Sequence, residues 1–91
     1  MIFKHLFTPK WKHPKQQVRL EAIEKLDVER DATILNALAL EDSSAEIRKK
    51  ALNKVNDLVL WWQAYKQDQS LKELAEQHIS NAVLSDESNL S

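Results

Sequence analysis

Apolar residues recur at helical spacing along almost the whole chain. Val18, Ala22 and Leu26 stand at i, i+4 and i+8, with Ile23 widening the stripe. Ile47, Ala51 and Val55 repeat the arrangement, with Leu52 in the place of Ile23. No stretch shows the alternation of period two that marks a half-buried strand. Pro14 suits the first turn of a helix, where its missing N–H is not needed. Asp31 suits an N-cap before "ATILNALAL", and Ser43 with Glu46 and Ser70 with Glu73 have the spacing of a capping box. The pattern predicts five helices, over about 14–26, 31–41, 44–55, 57–67 and 70–84. A short extra turn over Ile2–Phe7 precedes them. Short connections make neighbouring helices antiparallel. The expected organisation is one domain over residues 1–84, then a polar tail, "SDESNLS" (85–91), that frays or begins a linker.

The phrase "VRLEAIEKL" at Val18 returns as "IRKKALNKV" at Ile47, 29 residues later. Superposing them matches Val18 with Ile47, Arg19 with Arg48, Ala22 with Ala51, Ile23 with Leu52, Lys25 with Lys54 and Leu26 with Val55. A looser copy starts at Leu71, 24 residues further on, with Lys72 under the arginines, Ala75 under the alanines and Ile79 under Leu26. A shared apolar stripe is common to amphipathic helices. A shared arginine and alanine in one register, each time after another helix, points to a repeated helical hairpin. One hairpin cannot bury its apolar face alone, so copies stack.

"EDSSAEIRKKALNKV" resembles the second helix of a HEAT repeat: Asp42, Ile47, Arg48 and Ala51 match that family's turn Asp, then hydrophobic-Arg, then Ala. The resemblance covers roughly residues 13–84. It implies an all-α fold, a short right-handed solenoid of about three hairpins. It also implies a ladder of hydrogen bonds between Asp and Arg of neighbouring repeats, the two residues being spaced as Asp42 and Arg48 are. His13 and Lys66 occupy the Asp position in the other two copies, which leaves the ladder incomplete. The opening "FTPKWKHPKQQVRLEAIEKL" also resembles the N-terminus of a bacterial family of uncharacterised proteins. These carry HEAT-like repeats followed by a long helical, coiled-coil-rich region. That implies a chain forming the N-terminal part of a longer protein.

Composition narrows the chemistry. The 91 residues include no glycine and no cysteine. Phosphate-cradling loops and nucleophile turns usually need glycine, and thiolate metal sites and disulfides need cysteine. No apolar run approaches the roughly 20 residues of a membrane span, and the start lacks a small-residue cleavage site. These features lead to a cytoplasmic protein as the expectation. The net charge of −1 divides into +5 over residues 1–20 and −6 over residues 21–91. The function classes left are those that need a surface rather than a reaction centre.

The candidate residues follow from this. His5, His13 and His78 have no partner at metal-ligand spacing. His78 falls on an apolar stripe, where a hydrogen-bonded core or edge residue is expected. Glu21 and Glu24 lie on a solvated face, a poor place for acid–base chemistry. No catalytic, cofactor or metal site is predicted, and the chain is expected not to be an enzyme. "LVLWW" (58–62) is apolar around the whole helix. Leu58, Trp61, Trp62 and Tyr65 are expected on one face and Val59 and Leu60 elsewhere, with Trp61 and Trp62 as core residues or partner anchors. The HEAT resemblance implies that the second helix of each hairpin lines the concave side, exposing Leu20, Glu24, Lys49, Lys50, Asn53 and Glu76. The leading expectation is a non-catalytic module that binds another protein. A second reading takes the basic end, Lys10, Trp11, Lys12, His13, Lys15 and Arg19, as a weak nucleic-acid contact. The blander account of that end has Trp11, with Ile2, Phe3, Leu6 and Phe7, covering the open end of the first repeat. A third reading is a purely structural capping or oligomerisation domain.

Overall fold

The computed structural model describes residues 9–90 of the chain, with side chains through Val83, so the expected turn over Ile2–Phe7 lies outside the described residues. The described residues form an all-α fold without strands. Five helices follow one another: α1 (Gln16–Lys25), α2 (Ala32–Glu41), α3 (Ala45–Val55), α4 (Leu58–Gln67) and α5 (Lys72–Leu90). Two single 3₁₀ turns, Lys10–Lys12 and Gln69–Leu71, precede α1 and α5. The helical period thus sets all five elements, and the last outruns expectation. With neither Gly nor Pro in "SDESNLS" to stop it, α5 runs on to Leu90.

Helices adjacent in sequence pack as pairs, α2 with α3 and α4 with α5. Alternate helices also pack, α1 against α3 and α2 against α4. Ile23 of α1, Leu35 and Ala39 of α2, Ile47, Ala51 and Leu52 of α3, Trp61 and Ala64 of α4, and Ala75 of α5 are all fully buried. The superposed alanines Ala22, Ala51 and Ala75 are all in the buried set, as a close helix approach requires.

Aspartates organise the turns, though not by the expected capping boxes. Ser44, not Ser43, is the N-cap of α3, and its hydroxyl donates to Gln16 Oε1 at 2.6 Å instead of receiving a helix N–H. Ser70 sits inside the second 3₁₀ turn, whose N–H groups are taken by Asp68. Pro14 lies ahead of α1, not in its first turn, and its carbonyl accepts from Arg19. Asp31 does occupy the N-cap of α2, but its side chain reaches back to the Asp27 N–H at 2.8 Å. Asp27 Oδ1 in turn accepts from the N–H groups of Glu29 and Arg30. These hydrogen bonds hold the Asp27 and Asp31 carboxyls below the usual carboxylate range: Asp27 chiefly through the Arg30 and Glu29 N–H groups, Asp31 chiefly through the Arg30 guanidinium.

Only two residues join α3 to α4. Asn56 ends α3 in the left-handed region at φ 50°, returning its N–H to the Leu52 carbonyl at 2.9 Å. Glycine is the usual residue there, and asparagine is the next best. Asp57 then starts α4 by accepting the Val59 N–H at 2.9 Å. Lys54 closes the C-terminal end of α1, donating to the carbonyls of Ile23 at 2.8 Å and Glu24 at 2.9 Å. A cation at that end also meets the negative pole of the helix dipole.

Candidate interaction surface

Two arginine clasps link the helix pairs. Arg19 on α1 is buried; its Nε and Nη2 donate to the two carboxylate oxygens of Asp42, each at 3.1 Å. Its Nη1 donates to the backbone carbonyl of His13, six residues earlier, at 2.8 Å. Arg48 on α3 repeats this. Its Nη1 donates to the backbone carbonyl of Asp42, again six residues earlier, at 2.6 Å. Its Nε donates to Asp68 at 2.6 Å, with a longer contact from Nη2 at 3.3 Å. The aspartates repeat as well, for Asp42 also accepts the Ser44 N–H and Asp68 the Ser70 N–H.

Arg48 meets the backbone of Asp42, and the Asp42 carboxylate pairs with Arg19 of the preceding copy, the kind of Asp–Arg link the ladder calls for. One part of the expectation is corrected. The third aspartate is Asp68, not a gap at Lys66. The connection from Asp42 to the buried Ile47 is two residues longer than that from Asp68 to Leu71, so a rigid register lands on Lys66. His13 needs no carboxylate, because only its carbonyl takes part.

The clasps remove Arg19 from the nucleic-acid candidates, since it is buried and paired. At the basic end Trp11 is half-buried against the core. The Lys12 ammonium lies 5.0 Å from the Trp11 ring centre, covering a face that a base would need. His13 Nδ1 accepts the Lys15 N–H at 3.0 Å. Lys10, Lys12 and Lys15 remain exposed.

Among the residues expected on the second helices, the structure joins Glu24 to Lys50, Oε1 to Nζ, at 2.9 Å. This hydrogen bond, and then the charge of Lys50, lowers the Glu24 pKa. Lys49, Asn53 and Glu76 are exposed, whereas Leu20 is half-buried against the core.

Helix α4 divides differently from expectation. Leu60, Trp61 and Ala64 point inward. Trp61 is fully buried and stacks on His78, ring centres 4.2 Å apart and planes 18° apart, so it is a core residue and not a partner anchor. His78 is half-buried and its Nε2 hydrogen-bonds Asn56 Oδ1 at 3.1 Å, in line with its expected edge role. Leu58, Val59 and Trp62 are exposed, Val59 by 66% and Trp62 by 43%. Leu58, Trp62 and the half-buried Tyr65 follow i, i+4, i+7 and make one outward stripe. Trp62 stands edge-on to Tyr65, 5.8 Å between centres and 87° between planes. Glu76 of α5 lines the same recess as Trp62, an association the sequence reading did not foresee.

Among the described residues, no group of three His, Cys, Asp or Glu side chains is placed to hold a metal ion, and no helix is long and apolar enough to cross a membrane. Set against known proteins, the chain matches no protein family, no curated sequence and no solved structure.

Proposed function

We propose that this chain is a non-catalytic protein-binding module, a short right-handed solenoid of about three HEAT-like hairpins at the N-terminal end of a longer bacterial cytoplasmic protein. Support for the solenoid comes from the two arginine clasps and from the packing of α1 on α3 and α2 on α4. In stacked repeats each unit meets its neighbour through equivalent helices. The observation that carries the function is the exposed strip Leu58, Val59 and Trp62 on α4. Contiguous apolar exposure marks an interaction surface, and a tryptophan is a favoured anchor in one. The basic end is the weaker candidate, because Lys12 already covers Trp11.

The test is affinity capture from the native host with the wild-type chain and with a Val59→Ser/Trp62→Ser variant. A discrete partner recovered by the first and lost by the second is the expected result. Equal recovery by both, or loss only when Lys10, Lys12 and Lys15 are replaced, rejects this surface. Sedimentation of the purified chain decides the structural alternative, since a concentration-dependent dimer lost in the same variant would make the strip an oligomer contact.

A further inference from the structure

Between α4 and α5 lies a recess of about 150 Å³ lined by Trp62, Tyr65, Glu76, Ile79 and Ser80. Sites for cofactors or drug-sized ligands run from about 300 Å³ upward, so this one has room for the end of a single side chain. Its chemistry is unusually one-signed for so small a space. Two aromatic rings stand at right angles, and the face of an aromatic ring is the negative part of its quadrupole. One carboxylate, Glu76, enters none of the ion pairs or hydrogen bonds among the described residues. Ser80 adds a hydroxyl able to accept a hydrogen bond, and Ile79, nearly buried, makes an apolar floor.

We infer that this recess is a receptor for an arginine side chain carried by a protein partner. The inference rests on the protein-binding reading above and names the chemistry of its anchor. A guanidinium is planar and weakly hydrated, stacks on an indole and gives a carboxylate two parallel hydrogen bonds. Trp62 supplies the exposed indole and Glu76 the carboxylate, on facing helices. The chain already shows that the aromatic pair attracts cations, for the Lys72 ammonium lies 5.4 Å from the Tyr65 ring centre. Lys72 is not part of the recess lining, so it competes for the ring's field without filling the space. Trp62 belongs both to the recess and to the exposed strip with Leu58 and Val59, so the recess lies at the edge of the same surface.

The experiment is a titration of the isotope-labelled chain with N-acetyl-arginine methylamide, followed by nuclear magnetic resonance at the Trp62 indole and the Ser80 amide. The neutral isostere N-acetyl-citrulline methylamide is the control ligand. Arginine is expected to shift both signals and citrulline to bind about tenfold more weakly, as loss of a charged hydrogen bond predicts. Glu76→Gln is expected to weaken arginine binding by about the same factor, and Lys72→Gln to strengthen it by removing the competing cation. Glu76, Lys72 and Trp62 are exposed, so the variants keep the fold, which circular dichroism checks. Citrulline binding as well as arginine, indifference to Glu76→Gln, or weaker binding in Lys72→Gln overturns the site. A protein partner that binds wild type and Glu76→Gln equally but fails on Val59→Ser/Trp62→Ser also overturns it, while leaving the interaction surface in place. Arginine binding without any partner lost in that double variant has the opposite meaning.

Discussion

Arg48 and Asp68, twenty residues apart, meet at 2.6 Å with side chains only 14% and 6% exposed. The pair joins α3 to the turn between α4 and α5, where Asp68 also accepts the N–H groups of Ser70 and Leu71. Removing one member leaves the other charge with little water and without its opposite charge, although it keeps its backbone hydrogen bonds. Breaking a buried pair in that way costs about 3–5 kcal/mol. Asp68→Ala should therefore lower the urea midpoint strongly, with Arg48→Leu close behind. Lys49→Leu, one residue along on an exposed face, should stay within about 0.5 kcal/mol. Equal effects of Asp68→Ala and Lys49→Leu would show that the clasp contributes nothing to stability.

Ala51 is fully buried where α3 meets its neighbours. A larger side chain there has no free volume to enter, and overpacking costs about 1–3 kcal/mol. Ala51→Leu should lower the melting temperature, and Ala22→Leu, at a site still 7% exposed, should do so less. An unchanged melt in Ala51→Leu would contradict the close approach.

Neighbouring tryptophans should behave oppositely. Trp61→Ala empties a buried site that also stacks on His78, a change costing about 3–5 kcal/mol. Trp61→Phe should be milder, since the Trp61 indole N–H has no hydrogen-bond partner among the described residues to lose. Trp62→Ala should leave stability nearly unchanged and alter binding instead. Comparable losses of stability from the two alanine variants would mean that Trp62 is packed and not presented.

Acid should weaken the α1–α2 turn first. Asp27 and Asp31 have lowered pKa values, so folding favours their charged forms. Their contribution is complete above the ordinary carboxylate pKa near 4 and is lost as pH falls through the lower folded values. The urea midpoint should hold steady from neutral pH down to about 5 and decline below about 4. Asp31→Asn should flatten that decline. An identical acid limb in the variant would show that the turn carries no linkage.

Oligonucleotides should bind poorly. The exposed lysines at the basic end are Lys10, Lys12 and Lys15, and residues 21–91 carry −6. Affinity on the order of 10⁻⁴ M or weaker at physiological salt is expected, falling steeply as salt rises. Sub-micromolar binding abolished by replacing all three lysines with alanine would make nucleic acid the leading partner.

The helices were legible because Val18, Ala22, Ile23 and Leu26, and their counterparts from Ile47, carry the 3.6-residue period plainly. Asp68 escaped notice because a copy-to-copy comparison assumes turns of equal length, and the third turn is shorter. Trp61 and Trp62 could not be separated, since an all-round apolar segment such as Leu58–Trp62 has no polar residue to mark its outer side. The recess was invisible for another reason: Trp62 and Glu76 come together only when α4 and α5 pack, and no local pattern records that.

Every helix packs against the next helix in the chain or the one after it: α2 on α3, α4 on α5, α1 on α3 and α2 on α4. Little chain entropy is therefore lost in closing loops before a contact forms. Such local topology places the folding time between microseconds and milliseconds. A ribosome adds only about 5–20 residues each second, so α2 and α3, once both are free of it, should pack in less time than the addition of one further residue takes.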